Sequence, residues 1–233
     1  MNDLCIIMAR GGSKRVPRKN IRNLCGKPLV KWPVEAALAA GLFDHVLIST
    51  EDAEIASVAQ QAGAEFPFAR PAAVADDFST TADVLRVTLQ QWQESKGSLP
   101  EYCCCLYGTS VFVTSQQLCK ARNMLLSDSE LVMAVSEYSH PIQRAMTLDE
   151  AGMITYVQPE FIPVRTQDCS KTYHDIGLFY YFSVPAFLNN GGHSFLPLRK
   201  KGIIVSRTCA VDIDTEEDFA WAELLARHHG FVQ

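Results

Sequence analysis

The sequence predicts an α/β fold: a single doubly wound, mostly parallel sheet with a small β excursion. Two observations lead there. Strand-length apolar runs alternate with helix-length segments up to about residue 138, the order that builds a parallel sheet. Several helical segments also open on a capping pair and close on glycine. A third observation, the lack of repeats, low-complexity tracts and linkers, favours one domain over residues 1–233.

Each element has its own reason. "DLCIIM" reads as a buried strand, being apolar without alternation. "KPLVKWPVEAALAAG" reads as a helix closed by Gly41, with Pro33 tolerable only near its start. "HVLIST" is a second strand, and "DAEIASVAQQAG" a helix closed by Gly63. "STTADVLRVTLQQWQESKG" is a longer helix, with Thr80 and Asp83 spaced as a capping box. "YCCCLY" is a third strand, "TSQQLCKARNMLL" a helix capped by Thr114 and Gln117, and "ELVMAVSEY" a fourth strand. The pattern breaks between about 138 and 182. There "QRAMTLDEAGMITYV" reads as two strands around a turn, and polar and aromatic residues alternate as far as "LFYYF". We expect this excursion to act as a lid, a dimer contact or both. "GIIVS" returns to strand character, and "TEEDFAWAELLARHHG" is a helix capped by Thr215 and Asp218 and stopped by Gly230.

Composition narrows the function classes. The formal net charge is -5, which argues against general nucleic-acid affinity, so any basic cluster is local. No apolar run reaches the roughly 18 residues that span a bilayer. The N-terminus has Asp3 and no long apolar core, so no secretory signal is expected. The chain has eight cysteines but no C-x-x-C pair. Reduced thiols in a cytoplasmic protein are therefore expected rather than a zinc site.

The basic cluster is "RGGSKRVPRKNIR". Six Lys and Arg residues fall within the thirteen positions from Arg10 to Arg22, with no acid among them. The segment follows the first strand, at the edge where α/β sheets bind ligands. Glycine lets backbone approach a ligand closely, and exposed N–H groups with Lys and Arg suit a polyphosphate. Neither a Walker A sequence nor G-x-G-x-x-G is present. A solvated basic loop is the competing reading. Near the C-terminus, Asp212 and Asp214 in "VDIDTEEDF" would point to one face if that segment is extended, with Ile213 on the other. Such a pair suits Mg2+ shared with substrate phosphates; turn acids before a capped helix are the alternative.

Taken together, these motifs resemble the sugar-acid cytidylyltransferases, the group that contains the CMP-sialic acid synthetases. "ARGGSKRVPRKNI" resembles the family's nucleotide loop, "FARPAAVADDFSTTADV" its R-P-x-x-L-A-x-D motif, and "VDIDTEEDF" its metal-binding strand end. The resemblance runs nearly end to end. "SHPIQRA" and "RTQDCSKTYHDIGLFYY" resemble the branch that activates pseudaminic acid. Three positions depart from the patterns: Met8 where the family has proline, Tyr107 where sialic acid synthetases have a sugar-contacting glutamine, and Leu178 where pseudaminic enzymes have glutamine.

The resemblance implies CMP transfer from CTP to a nonulosonic acid. Pseudaminic acid is the expected sugar, with legionaminic or N-acetylneuraminic acid as the alternatives. It assigns the nucleotide to Ala9, Arg10, the amides of Gly11, Gly12, Ser13 and Lys14, and to Lys19 and Asn20. Arg70 and Thr81 would read the cytosine. Asp77 either orders that pocket or is a turn acid. Arg10, Lys19, Asp212 and Asp214 would serve catalysis, the last two as Mg2+ ligands. Tyr107, Gln143, Arg144, Arg165, Tyr173, His174 and Asp175 would meet the sugar. The family expectation is a cytoplasmic homodimer without nucleic-acid or membrane partners. Two other classes are weighed against this. A dinucleotide-dependent oxidoreductase needs a glycine fingerprint the chain lacks. A silent nucleotide-binding protein has no need of "RKN" and "DID" together.

Overall fold

The unbroken apolar run near the N-terminus forms β1 (Asp3–Met8), buried one place in from the edge of a six-stranded sheet. The structure, a computed structural model, describes residues 3–76 and 78–231. A short hairpin follows β1, pairing β2 (Asn23–Leu24) with β3 (Lys27–Pro28). Then come α1 (Lys31–Ala40), β4 (His45–Ser49), α2 (Ala53–Gln61), α3 (Thr81–Lys96), β5 (Tyr102–Tyr107), α4 (Ser115–Leu125) and β6 (Leu131–Glu137). The excursion contributes β7 (Met146–Leu148) and β8 (Ile154–Tyr156), which form a separate two-stranded sheet. The chain then returns through β9 (Tyr173–Ser183), α5 (Val184–Asn189), β10 (Lys200–Ile204) and α6 (Glu216–His228).

The sheet order is β10-β6-β9-β5-β1-β4. All its pairings are parallel except those of β9, which runs antiparallel between β5 and β6. Both faces are covered, which explains the continuous apolar strands. Cys5, Ile7, Cys104 and Leu106 face a core built with α1, α2, α4 and α6. Leu4, Ile6, Cys103 and Cys105 face a second core built with α3 and α5. Each of the three expected capping boxes forms with both of its hydrogen bonds. All eight cysteines are free thiols. Among the described residues, no helix is long and apolar enough to cross a membrane.

Two segments differ from the sequence reading. The helix expected from residue 27 starts at Lys31, because Cys25 and Gly26 both take positive φ, 50° and 81°, and close a two-residue hairpin turn. The irregular stretch expected to reach 182 ends at Thr172, and Tyr173–Ser183 becomes a central strand. Its buried residues, Leu178, Phe179, Tyr181 and Phe182, contribute to both cores.

A buried charge cluster anchors the start of β1. Arg122 on α4 donates to both carboxylate oxygens of Asp3, and the Tyr181 hydroxyl donates to Oδ2 at 2.5 Å. The Asp3 side chain is fully buried and that of Arg122 is 8% exposed. Arg122→Ala leaves the carboxylate buried without its cation. Chemical denaturation is expected to show a loss of about 3–5 kcal/mol. A loss under about 1 kcal/mol would mean that Asp3 is satisfied without Arg122.

Candidate active site

The sheet's topology opens a crevice. From β1 the chain proceeds to β4 on one side, then to β5 on the other, so the loops leaving β1 and β5 diverge at the carboxyl edge. Because β9 is antiparallel, it is its beginning, His174 and Asp175, that lies at this same edge, beside the end of β6. The β6–β9 register shifts there, and Gly177 sits within the shift at φ 61°. The resulting irregularity turns Asp175 and Gly177 toward the crevice, a common use of a bulge beside a site.

The loop after β1 is tied down at several points. Ala9 is buried and its N–H donates to the Ser49 carbonyl at 3.1 Å. The N–H of Gly11 donates to Glu51 Oε1 at 2.7 Å. A Cβ at Gly11 would come within 2.6 Å of Asp52 Oδ2, so the close approach requires glycine. Asp52 caps α2 through the amides of Glu54 and Ile55, and its carboxylate also pairs with Arg18. That hydrogen bond from Arg18 is the main cause holding the Asp52 carboxyl below its ordinary range. Asn20, which is buried, donates from Nδ2 to the Arg10 carbonyl at 2.9 Å.

Lys19 joins this loop to the far end of the chain. Its ammonium donates to the Ile213 carbonyl and lies 3.4 Å from Asp214 Oδ1. Arg15 reaches the other oxygen of Asp214 at 2.7 Å. Ile213 is fully buried in the core, while Asp212 and Asp214 both face the crevice, the alternation expected of the "DID" segment. Asp218 of the α6 capping box accepts from the Asp214 amide at 3.1 Å, so the cap also positions the acid pair. Asp212 has its carboxyl pushed up, first by loss of water and next by the neighbouring Asp214 carboxylate.

The crevice has two connected parts. The first, about 270 Å³, is lined by Arg10, Ser13, Lys14, Arg15, Lys19, Asn20, Arg70, Thr81, Tyr107 and Asp214, among others. The second, about 710 Å³, shares Arg10, Lys19, Tyr107 and Asp214 and adds His174, Asp175, Tyr180 and Asp212. Arg70 is buried, donating to the Ser49 carbonyl at 2.6 Å and to its hydroxyl at 3.2 Å, and burial lowers its guanidinium from its ordinary value. Thr81 Oγ1 lies 2.6 Å from the Tyr107 hydroxyl.

Most residues singled out in the sequence converge here: Arg10, Ser13, Lys14, Lys19, Asn20, Arg70, Thr81, Tyr107, His174, Asp175, Asp212 and Asp214 line one part or the other. Others do not. Ala9, Gly11 and Gly12 are absent from the walls, and the Gly11 amide is spent on Glu51 rather than presented to a ligand. Gln143 donates to the Ser170 carbonyl, Arg144 to the Thr166 hydroxyl, and Arg165 pairs with Asp168. These three belong to the excursion, and with Tyr173 they lie off both walls. Asp77 lies outside the described residues. The sequence reading missed Arg15 and Tyr180. Arg15 was visible as part of the basic run, whereas Tyr180 shows itself only through the placement of β9.

A sheet edge that gathers a basic loop, paired carboxylates and an aromatic wall into one crevice defines a nucleotidyltransferase-like α/β protein. More specifically, the chain belongs to the cytidylyltransferase family, whose pattern matches residues 4–229. It is 37% identical over 226 residues to a Campylobacter jejuni protein named pseudaminic acid cytidylyltransferase, with 97% of this chain and 96% of that protein covered. It is 30% identical over 227 residues to the CMP-N,N'-diacetyllegionaminic acid synthase of Legionella pneumophila, covering 97% of this chain and 96% of that one. Among solved structures, a CMP:2-keto-3-deoxy-manno-octonic acid synthetase complexed with CTP matches with a TM-score of 0.71 at 14% identity, over 98% of this chain and 100% of that one. At that identity the match speaks to the fold.

Proposed function

We propose that this protein transfers CMP from CTP to the anomeric hydroxyl of pseudaminic acid, releasing pyrophosphate. The observation that carries the sugar assignment is the 37% identity, across nearly the whole of both chains, with a protein named for that reaction. The hydroxyl oxygen attacks the α-phosphorus and pyrophosphate leaves, so the protein's work is positioning and charge neutralisation. In this reading the 270 Å³ part holds the nucleotide and the 710 Å³ part the sugar. Arg10, Ser13, Lys14, Arg15 and Lys19 meet the phosphates. Arg70 and Thr81 face the base, and Asn20 holds the loop through the Arg10 carbonyl. Lys19 and Arg10 line both parts, where the α-phosphate and the attacking oxygen must meet.

Asp212 and Asp214 fit a divalent cation. The partial burial of Asp212 and its like-charged neighbour Asp214 both favour a cation there. Among the described residues, no group of three or more His, Cys, Asp or Glu forms a cage. Two carboxylates with the remaining positions left to phosphate and water is the donor set Mg2+ prefers. When bound, Mg2+ supplies charge neutralisation at the phosphate oxygens and eases deprotonation of a nearby hydroxyl.

We also place the reaction in the cytoplasm, where CTP is held, and propose a homodimer built on the excursion. Met146, Leu148, Met153, Ile154 and Val157 there are all more than half exposed, an apolar surface that suits a second copy. A sugar-binding role for Gln143, Arg144 and Arg165 rests on that dimer bringing the excursion of one copy to the crevice of the other.

One patch of the wall accords with that sugar. Tyr107, Ile176 and Tyr180 present aromatic and apolar surface in the sugar part. Pseudaminic acid ends in a methyl group where N-acetylneuraminic acid carries a hydroxyl; against these three residues an added hydroxyl is disfavoured by at most about 10²-fold, the rest of the wall being largely polar. Legionaminic acid shares the methyl tail and is the second reading, favoured by the Legionella relative. Pyrophosphate release measured with CTP and each acid should give kcat/KM highest for pseudaminic acid, with N-acetylneuraminic acid lowest. A preference for N-acetylneuraminic acid would overturn the sugar assignment.

A further inference from the structure

Four side chains cross the crevice from its nucleotide part to its sugar part. Thr81, at the start of α3, lines the first part, and its hydroxyl lies 2.6 Å from that of Tyr107. Tyr107, at the end of β5, lines both parts. Its ring packs edge-on to Tyr180 of β9, with centroids 6.2 Å apart and planes at 82°. The Tyr180 hydroxyl donates to Asp175 Oδ2 at 2.5 Å, while Asp175 Oδ1 accepts from the Gly177 amide at 2.9 Å.

The assembly is held from behind. Phe195 stacks on Tyr180 at 5.3 Å. Ser110 accepts from the Tyr107 amide at 3.0 Å and donates to the Leu178 carbonyl at 2.7 Å, tying the turn after β5 to β9. Burial, then the neighbouring Tyr107 phenol and Asp175, push the Tyr180 phenol well above its ordinary range, so it stays a donor. On the wall of the second part Asp175 accepts from the Tyr180 hydroxyl and the Gly177 amide and keeps lone pairs to spare, suited to an O–H or N–H of the acid.

We propose that Thr81, Tyr107, Tyr180 and Asp175 couple the two parts of the crevice, so that a bound nucleotide tightens the hold on the sugar acid. Tyr180 is in this sense a positioning residue that acts through Asp175. A nucleotide that engages Thr81 restricts its hydroxyl rotor and with it the Tyr107 phenol. The restriction passes to Tyr180 through the ring contact. The sugar then meets an Asp175 wall that is already ordered and loses less freedom on binding, which is positive cooperativity without a large movement. Linkage requires the reverse effect to be equal: the sugar tightens the nucleotide by the same factor.

The inference rests on the substrate reading above, and calorimetry separates the two. Pseudaminic acid is titrated into the parent protein with Mg2+, with and without a saturating CTP analogue whose α–β bridge is a non-cleavable methylene. Nucleotide is expected to tighten the sugar about tenfold. In Tyr107→Phe and in Thr81→Val, which lose one hydroxyl each and keep the side-chain shape, the tightening should fall below about twofold. Tyr180→Phe should reduce it likewise, while leaving the analogue's own affinity in the absence of sugar at its parental value. Parental tightening retained in all three variants would overturn the coupling alone. A parent protein that binds the analogue but no nonulosonic acid would overturn both the substrate reading and the coupling.

Discussion

Asp214→Asn is expected to lower turnover by about 10²–10³-fold with the fold retained. The Asp214 carboxylate lies on both parts of the crevice, and it takes Arg15 on one oxygen and Lys19 on the other. Asparagine keeps the shape but removes the charge that holds these cations and that would hold Mg2+. The loss falls on chemistry rather than stability for two reasons. The side chain is 39% exposed, and the segment is held independently by buried Ile213 and by Asp218 accepting from the Asp214 amide. Asp212→Asn should act in the same direction, and EDTA should abolish activity of the parent protein. Turnover within about threefold of parental at limiting Mg2+ would exclude the substituted carboxylate as a ligand.

Lys19→Ala should lower kcat/KM by about 10²-fold, with weaker CTP binding by calorimetry. The ammonium sits where the two parts of the crevice join, on a side chain only 17% exposed. It is thus partly shielded from water, which strengthens its field at a transferring phosphoryl group. Its contribution to stability is smaller, because its ion pair is with a solvent-reached carboxylate; denaturation should show a change of under about 1 kcal/mol. Unchanged affinity and rate would return the loop to an ordinary basic surface.

Local signals carried much of the fold into the sequence. Thr80–Asp83, Thr114–Gln117 and Thr215–Asp218 each state a helix start within four residues, and each box forms. The apolar runs of β1 and β5 have no polar face because both faces are packed. What could not be read was non-local. Nothing near Tyr173–Ser183 says that it slots antiparallel between β5 and β6, strands that precede it by about 70 and 40 residues. The β2–β3 hairpin was hidden for a different reason. Its turn places Cys25, an uncommon residue for positive φ, where asparagine or aspartate would have announced it.

The site shows the same division. Arg10, Lys19, Asp212 and Asp214 were legible from residue type and from position beside a strand end or helix cap. Arg15 pairing with Asp214 joins residues at opposite ends of the chain, which spacing does not reveal. Gln143, Arg144 and Arg165 were chosen by resemblance, and within one chain the excursion carries them away from the crevice. Gly11 was taken as an anion-facing amide, but the structure directs that amide to Glu51, and the glycine's need is steric, against Asp52.

The most direct test of the account follows an oxygen atom. Pseudaminic acid labelled with heavy oxygen at its anomeric hydroxyl is incubated with CTP, Mg2+ and the protein, and the products are weighed by mass spectrometry. Attack of that hydroxyl on the α-phosphorus predicts CMP-sugar and pyrophosphate in equal amounts, with the label kept in the CMP-sugar and absent from the pyrophosphate. An unlabelled CMP-sugar, or CTP consumed with no CMP-sugar formed, would contradict it.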